Sequence, residues 1–360
     1  MIKKFIFFIL LLFILTGCTN NKNVEEITFS SWGSVTETAV INNIISDFEK
    51  ENPNIRIKFM HFPQNYFQKI HLLFASNTSP DVIFINNIYL PLYQSKLENL
   101  SDIIEDKKYY EQALDAMRID NKLYAIPRDI SNLVLYVNTD ILSSNGIQIP
   151  TENWTLNDML TIANNTTSNT IYGIGYEPTL FFAMPYINYF GDDINTNNVE
   201  QTKGLNLYKK LPNKIAPKRS DVGSSTVAQM FIDGKIAFYL SGRWMYPKIS
   251  EKAKFNWVVI TFPYGLKGVP CDASGWAISR NSKHKEASKK FINYISSETS
   301  AKYFTKTGLI VPARIEASKF LGNNIHNEKA FLDAIKHSTK NPVDKNYKKI
   351  ADKIEKTLEY

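Results

Sequence analysis

Glu26-Ile27-Thr28-Phe29-Ser30-Ser31-Trp32 decides the fold. Apolar and small polar residues alternate along it, and its members are β-prone, so it reads as a strand. Outward from it, Val35 to Glu49 carries Val40, Ile44, Ile45 and Phe48 on one helical face. Asn52-Pro53 breaks that helix, and Ile55 to Met60 alternates as a second strand. Tyr66 to Ala75 reads as a helix closed by Asn77-Thr78-Ser79-Pro80, and Asp81-Val82-Ile83-Phe84-Ile85 as a buried strand. Strand, helix, strand, helix, strand in this order implies a parallel α/β sheet with right-handed crossovers.

The same alternation continues. Leu123–Ile126 and Leu133–Asn138 are short strand-like runs around Pro127. Thr155 to Asn164 is a helix with Thr155 as N-cap and Asp158 at its third position. Ile171–Tyr176, Ile236–Leu240 and Trp257–Ile260 read as strands; Val227–Asp233, His284–Ser296 and Ser300–Phe304 read as helical. Two α/β units without a clear linker suggest lobes that exchange strands. No internal repeat is found.

The N-terminus carries Lys3 and Lys4, then an unbroken apolar run from Phe5 to Leu15. That is a signal-peptide core, too short to span a bilayer as a mature helix. Leu15-Thr16-Gly17-Cys18 follows and looks like a bacterial lipobox, which implies cleavage after residue 17 and lipidation of Cys18. Residues 18–25 then form a polar, Asn-rich tether. The remainder is long enough for two domains. With 44% hydrophobic and 21% charged residues it has the composition of a soluble globular chain. The net charge of +7 comes from scattered lysines rather than a block, which offers nucleic acid no footprint. With Cys18 acylated, Cys271 is the one remaining cysteine, so no intrachain disulfide can form. The five histidines (His61, His71, His284, His326 and His337) lack metal-ligand spacing, and there is no HExxH, Gly-x-Ser-x-Gly or Walker loop. The expectation is therefore no metal, no cofactor and no catalytic residue. A glycosidase needs only two carboxylates, which composition alone does not address.

Several blocks in order carry a resemblance: Ser30-Ser31-Trp32-Gly33; Pro80 to Phe84 followed by Lys96 to Leu100; Asn121 to Pro127 leading into Leu135-Tyr136-Val137-Asn138; Asn153 to Asp158; Phe231 to Phe238 before Gly242-Arg243-Trp244; Ser274 to Ser279; and Gly308 to Pro312. From about Glu26 to Arg314 the chain resembles the family 1 extracellular solute-binding proteins, the maltose-binding-protein-like group of ABC importers. The resemblance implies a periplasmic-binding-protein-like fold: two α/β lobes joined by hinge crossovers, with a ligand cleft between them. Lobe I takes 26–128 plus 265–311 and lobe II takes 132–262 plus 314–360. Hinges fall near 128–131, 262–265 and 310–314. It implies a sugar or oligosaccharide as solute, ABC permease subunits as partners, the extracytoplasmic face of the membrane as location, a monomer, and no enzymatic activity. Family members usually continue with further helices after a segment like Ile350–Leu358, whereas this chain stops at Tyr360, so no ligand contact is carried over from that region.

A sugar presents hydroxyls to planar polar groups and C–H faces to aromatic rings, and open α/β sheets present such groups at strand ends. The expected ligand-binding residues are Trp32 and Ser34 after the first strand, Asn86 after the third, Arg128 and Asp129 at a hinge, Arg243 and Trp244 after another strand, Gly275 and Trp276 entering a crossing strand, Arg314 past the last hinge, and Tyr189 near Gly191. Trp32 and Trp276 read equally as core, and Arg128 beside Asp129 reads also as an ion pair. If Arg128, Arg243 and Arg314 converge, a glycerophosphodiester or sugar acid becomes the alternative solute. A surface scaffold or adhesin on the same fold is the alternative outside transport.

Overall fold

The computed structural model describes residues 24–151, 153–196, 199–322 and 325–358. The signal segment 1–17, Cys18 and most of the tether lie outside the described residues.

The opening stretch folds as its pattern requires. Strands β1 (Glu25–Ser31), β2 (Ile55–His61) and β3 (Val82–Asn86) pair in parallel, β1 between the other two. The Val35–Glu51 helix between β1 and β2 starts in a complete capping box: Ser34 accepts from the Glu37 amide, and the Glu37 carboxylate accepts from the Ser34 amide. Strands β4 (Ile126–Ser131), β9 (Val269–Ile278) and β10 (Val311–Pro312) extend this sheet antiparallel, in the order β10-β4-β9-β3-β1-β2. The start of β9 also takes up β11 (Ser338–Lys340) in parallel.

A second sheet has the order β8-β5-β7-β6, from β5 (Val134–Asn138), β6 (Tyr172–Ile174), β7 (Ile236–Ser241) and β8 (Trp257–Thr261). Both its faces are covered, so its strands read as apolar runs. Val134, Tyr136 and Tyr239 point into a core continuous with the first sheet, whereas Leu135, Val137, Phe238 and Leu240 point into a separate core with helices Leu156–Thr166, Leu180–Tyr189 and Tyr347–Leu358. The chain passes between sheets at 132–133, at 262–268 and again after β10. The expected cap of the 156–166 helix is present, with Thr155 and Asp158 bonded reciprocally.

Candidate ligand-binding cleft

The ends of β1, β3, β4 and β10 in the first sheet and of β7 in the second converge on one cavity of about 280 Å³. Six residues named from the sequence line it: Trp32, Asn86, Arg128, Asp129, Arg243 and Trp244. Ile130, Ser131, Ser274, Glu37 and the apolar edge Leu309–Val311 complete it.

Arg128 is the centre of its charge. Both flanking carboxylates are its partners: Asp129 Oδ2 lies 2.6 Å from Nε, and Glu37 Oε1 lies 3.2 Å from Nη1. The guanidinium is stacked over Phe84 at 4.3 Å and Phe304 at 5.1 Å, which fixes its plane and leaves edges for hydrogen bonds. Burial pushes the Asp129 carboxyl up, and the Arg128 charge opposes that rise. Asn86 is held by its own turn, Oδ1 accepting from the Ile88 amide at 2.9 Å and Nδ2 donating to Ser274 Oγ at 3.2 Å.

Trp244 supplies the apolar surface. It is 37% exposed, unusual for so large a ring. Its six-membered ring lies on Gly242, where an added Cβ would fall 1.9 Å from a ring carbon. Gly242→Ala is therefore expected to expel the ring and change its fluorescence, while Ser241 and the rest of β7 keep their pairing. Phe181 flanks Trp244 at 6.1 Å. Across the cavity Trp32 is half-buried, packed on Phe84, Tyr66 and Phe67 with centroids 4.2–5.2 Å apart.

Five of the expected residues do not line this cavity. Trp276 is 0% exposed and forms core with Phe29, Phe84 and Phe304; the strand pairs on both edges and has no open face for a platform. Gly275 serves that pairing: a Cβ there would lie 2.2 Å from the Ile126 carbonyl oxygen, at the register shift between β9 and β4. Ser34 spends its hydroxyl on the helix cap. Tyr189 lies outside the cavity, its hydroxyl accepting from the Leu156 amide. Arg314 turns away, to Glu316 at 3.0 Å, the Ser296 carbonyl oxygen at 3.3 Å and the face of Tyr109. Arg243 does reach the cavity, but its charge is taken by Glu328 at 2.6 Å, both side chains at most 6% exposed. Glu37, Ser131 and Ser274 were missed. For Glu37 the only signal was its place in the capping box, which explained it locally.

A larger cavity, about 850 Å³, lies at the opposite end of the second sheet, beyond Asn138 and Gly234; none of the expected residues reaches it. Among the described residues no cluster of His, Cys, Asp and Glu could hold a metal, and no helix is long and apolar enough to cross a membrane. Burial holds the Cys271 thiol up at about 12, protonated and inert.

The architecture and the sequence both have relatives. The family described as bacterial extracellular solute-binding protein matches residues 43–332. The chain belongs to this family. Among curated relatives, the maltodextrin-binding protein of Bacillus subtilis is 26% identical over 343 residues, covering 85% of this chain and 78% of that one. The galactooligosaccharide-binding protein of the same species is 22% identical over 309 residues, covering 78% and 72%. Among solved structures, an ABC substrate-binding protein from Listeria monocytogenes in complex with cycloalternan superposes with a TM-score of 0.80 at 24% identity, covering 93% of each chain. That likeness shows the two-lobed fold. As a member of the extracellular solute-binding family, the chain is a binding protein of the extracytoplasmic compartment.

Proposed function

We propose that the protein is the receptor of an ABC importer, capturing an uncharged sugar or oligosaccharide by closure of two lobes and passing it to the permease. The observation that carries this reading is the pairing, in one cavity, of the exposed Trp244 face with Asn86, Ser131, Ser274 and the Arg128–Asp129 pair. The names of the relatives point to oligosaccharides. The lobes are taken as 26–128 with 265–311 and 132–262 with 314–360, turning on segments near 128–131, 262–265 and 310–314. Contacts from both sides stabilise the closed form by differential affinity. The receptor works as a monomer without catalysis.

The anionic alternative requires a free guanidinium. Arg128 faces two carboxylates, Arg243 faces Glu328, and Arg314 faces Glu316 outside the cleft, so an arriving phosphate or carboxylate meets no uncommitted arginine. Uncharged solutes are favoured. Thermal unfolding of the chain from Thr19 onward, against mono-, di- and oligosaccharides, sugar acids and glycerophosphodiesters, tests this. A solute at 100 times its Kd adds about 2.7 kcal/mol. Trp244→Ala is expected to weaken that binding by about 2 kcal/mol, roughly 30-fold, without lowering the Tm of the free protein. A shift with anionic solutes alone would overturn the assignment of solute class.

Acyl chains on Cys18 are proposed to hold the receptor near its permease, raising the local concentration of loaded receptor. Cys18→Ser is expected to move the protein from the membrane fraction to the soluble fraction. Retention of the variant on membranes would remove the anchor from this account.

A further inference from the structure

The strand that borders the cleft carries a second polar cluster just before Ser274. Asp272 on β9 is 1% exposed. Its Oδ1 accepts from Asn87 Nδ2 at 2.8 Å and from Asn341 Nδ2 at 3.1 Å, while Oδ2 has no partner. Asn341, 0% exposed, also directs Nδ2 at the Tyr347 hydroxyl at 3.1 Å, and its Oδ1 has no donor. Asn87 returns a bond to the strand, its Oδ1 accepting from the Ala273 amide at 3.1 Å. The four residues belong to four segments: the one after β3, β9 itself, the one after β11, and the helix Tyr347–Leu358, which packs in the second core. The cluster therefore joins the two cores where the chain passes between them.

Among the described residues no cation is paired with the carboxylate. On its own strand the neighbour is Cys271; opposite it on β4 is Ser131. From β11, Lys340 sends its ammonium to the Arg118 carbonyl oxygen at 2.8 Å. From the Glu111–Ala116 helix, Asp115 acts on Cys271. From the C-terminal helix comes the Tyr347 phenol, pushed up by burial and by Asp272. A buried carboxylate facing only amides, a thiol and a phenol is costly in its charged form, and such a group takes up a proton instead.

The hydrogen-bond pattern has room for that proton. Oxygen and nitrogen of an asparagine amide exchange places by a half-turn. Turned in this way, Asn341 would put its oxygen where the structure has Nδ2, facing both Tyr347 Oη and Asp272 Oδ1. It could then accept from both hydroxyls, and the protonated Asp272 oxygen would still accept from Asn87. Tyr347 and the carboxyl proton would each gain an acceptor, while the Asn341 NH2 would give up its two acceptors and turn to where Oδ1 now lies without a partner.

We propose that Asp272 is carried as a neutral carboxylic acid, hydrogen-bonded to Asn341, and that this shared proton pins the junction of the two sheets. Burial raises its carboxyl above the ordinary aspartate value, opposed only by the Asn87 and Asn341 amides. The folded chain thus holds a proton that the unfolded chain releases above about pH 3.9. The group's stabilising contribution is full below that pH and is lost as pH rises through the raised folded value. This inference is independent of the solute.

The test is an infrared difference spectrum between the wild-type protein and Asp272→Asn, about two pH units above the ordinary aspartate value. The wild type is expected to show one protonated-carboxyl band that the variant lacks, with carboxylate bands unchanged. Loss of carboxylate bands in the variant would overturn the proposal. Should the variant not fold, 13C-aspartate labelling of the wild type decides: one carboxyl resonance that stays protonated through the ordinary range supports the inference, and full titration of every aspartate refutes it. In thermal unfolding, the Tm of Asp272→Asn relative to wild type is expected to rise by about 3 °C or more from acid to mildly alkaline pH; a gap constant with pH would count against the shared proton.

Discussion

Trp276→Ala is expected to lower the free energy of unfolding by about 3–5 kcal/mol. The ring is 0% exposed and touches Phe29, Phe84 and Phe304 with centroids 4.5–6.0 Å away. It sits in the middle of the central antiparallel strand of the first sheet, opposite Phe84 on β3 and Ile126 on β4, so the backbone cannot close the cavity left behind. The cost has a second component. Arg128 is held over Phe84, Phe304 and, at 5.8 Å, Trp276 itself, and loosening this aromatic seat frees a guanidinium that the cleft needs fixed. Denaturant unfolding is expected to show the stability loss, and titration of the solute a weaker Kd beyond what partial unfolding explains. Trp276→Phe separates the two. It keeps a ring over Arg128 and removes an indole N–H that has no partner in the core, so it is expected to cost less than half as much. A Phe variant as unstable as the Ala variant would mean that the shape of the indole, rather than aromatic area, holds the site.

The sequence exposed the fold where the pattern had a period. The β1 to β3 unit alternates at two and at 3.6 residues, and its elements fall within a residue or two of expectation. Where burial is total the period vanishes. Every residue of β9 is buried, polar ones included, and the helix Leu180–Tyr189 is apolar nearly all round and contains Pro185; neither could be read from local pattern alone. In the candidate cleft, strand-end position led to Trp244, Asn86, Arg128 and Asp129, which line one cavity. Arg314, Trp276 and Tyr189, the last named for its place near Gly191, do not line that cavity, because sequence position does not give side-chain direction. Arg314 lies just past β10 as expected, yet points back to Ser296 and Glu316. Glu37 shows the converse failure: one oxygen caps a helix while the other faces Arg128, and the local role concealed the distant one.

Glu328→Ala is expected to destabilise the protein by about 3–5 kcal/mol, as much as any core truncation, although no apolar contact is lost. The variant leaves Arg243 as an uncompensated charge, 3% exposed, beneath the Tyr246 and Phe331 rings. It also strips the Tyr246 hydroxyl of the acceptor it holds at 2.7 Å and the Gly322 amide of the one it holds at 3.2 Å. The pair itself need not be a net source of stability, since desolvation of both ions offsets much of their attraction. The double variant Arg243→Met/Glu328→Leu is therefore expected to be more stable than Glu328→Ala alone by at least 2 kcal/mol, roughly the difference between an unpaired ion and none. Its solute affinity makes the functional point. Arg243 lines the cleft between Trp244 and the Glu328 segment, so the double variant should fold yet bind sugar poorly if the guanidinium edge left open by Glu328 contacts solute. Near-normal affinity would instead mark the pair as scaffolding for Trp244. Additive single effects in the stability cycle, with no coupling between positions 243 and 328, would contradict the buried-pair account altogether.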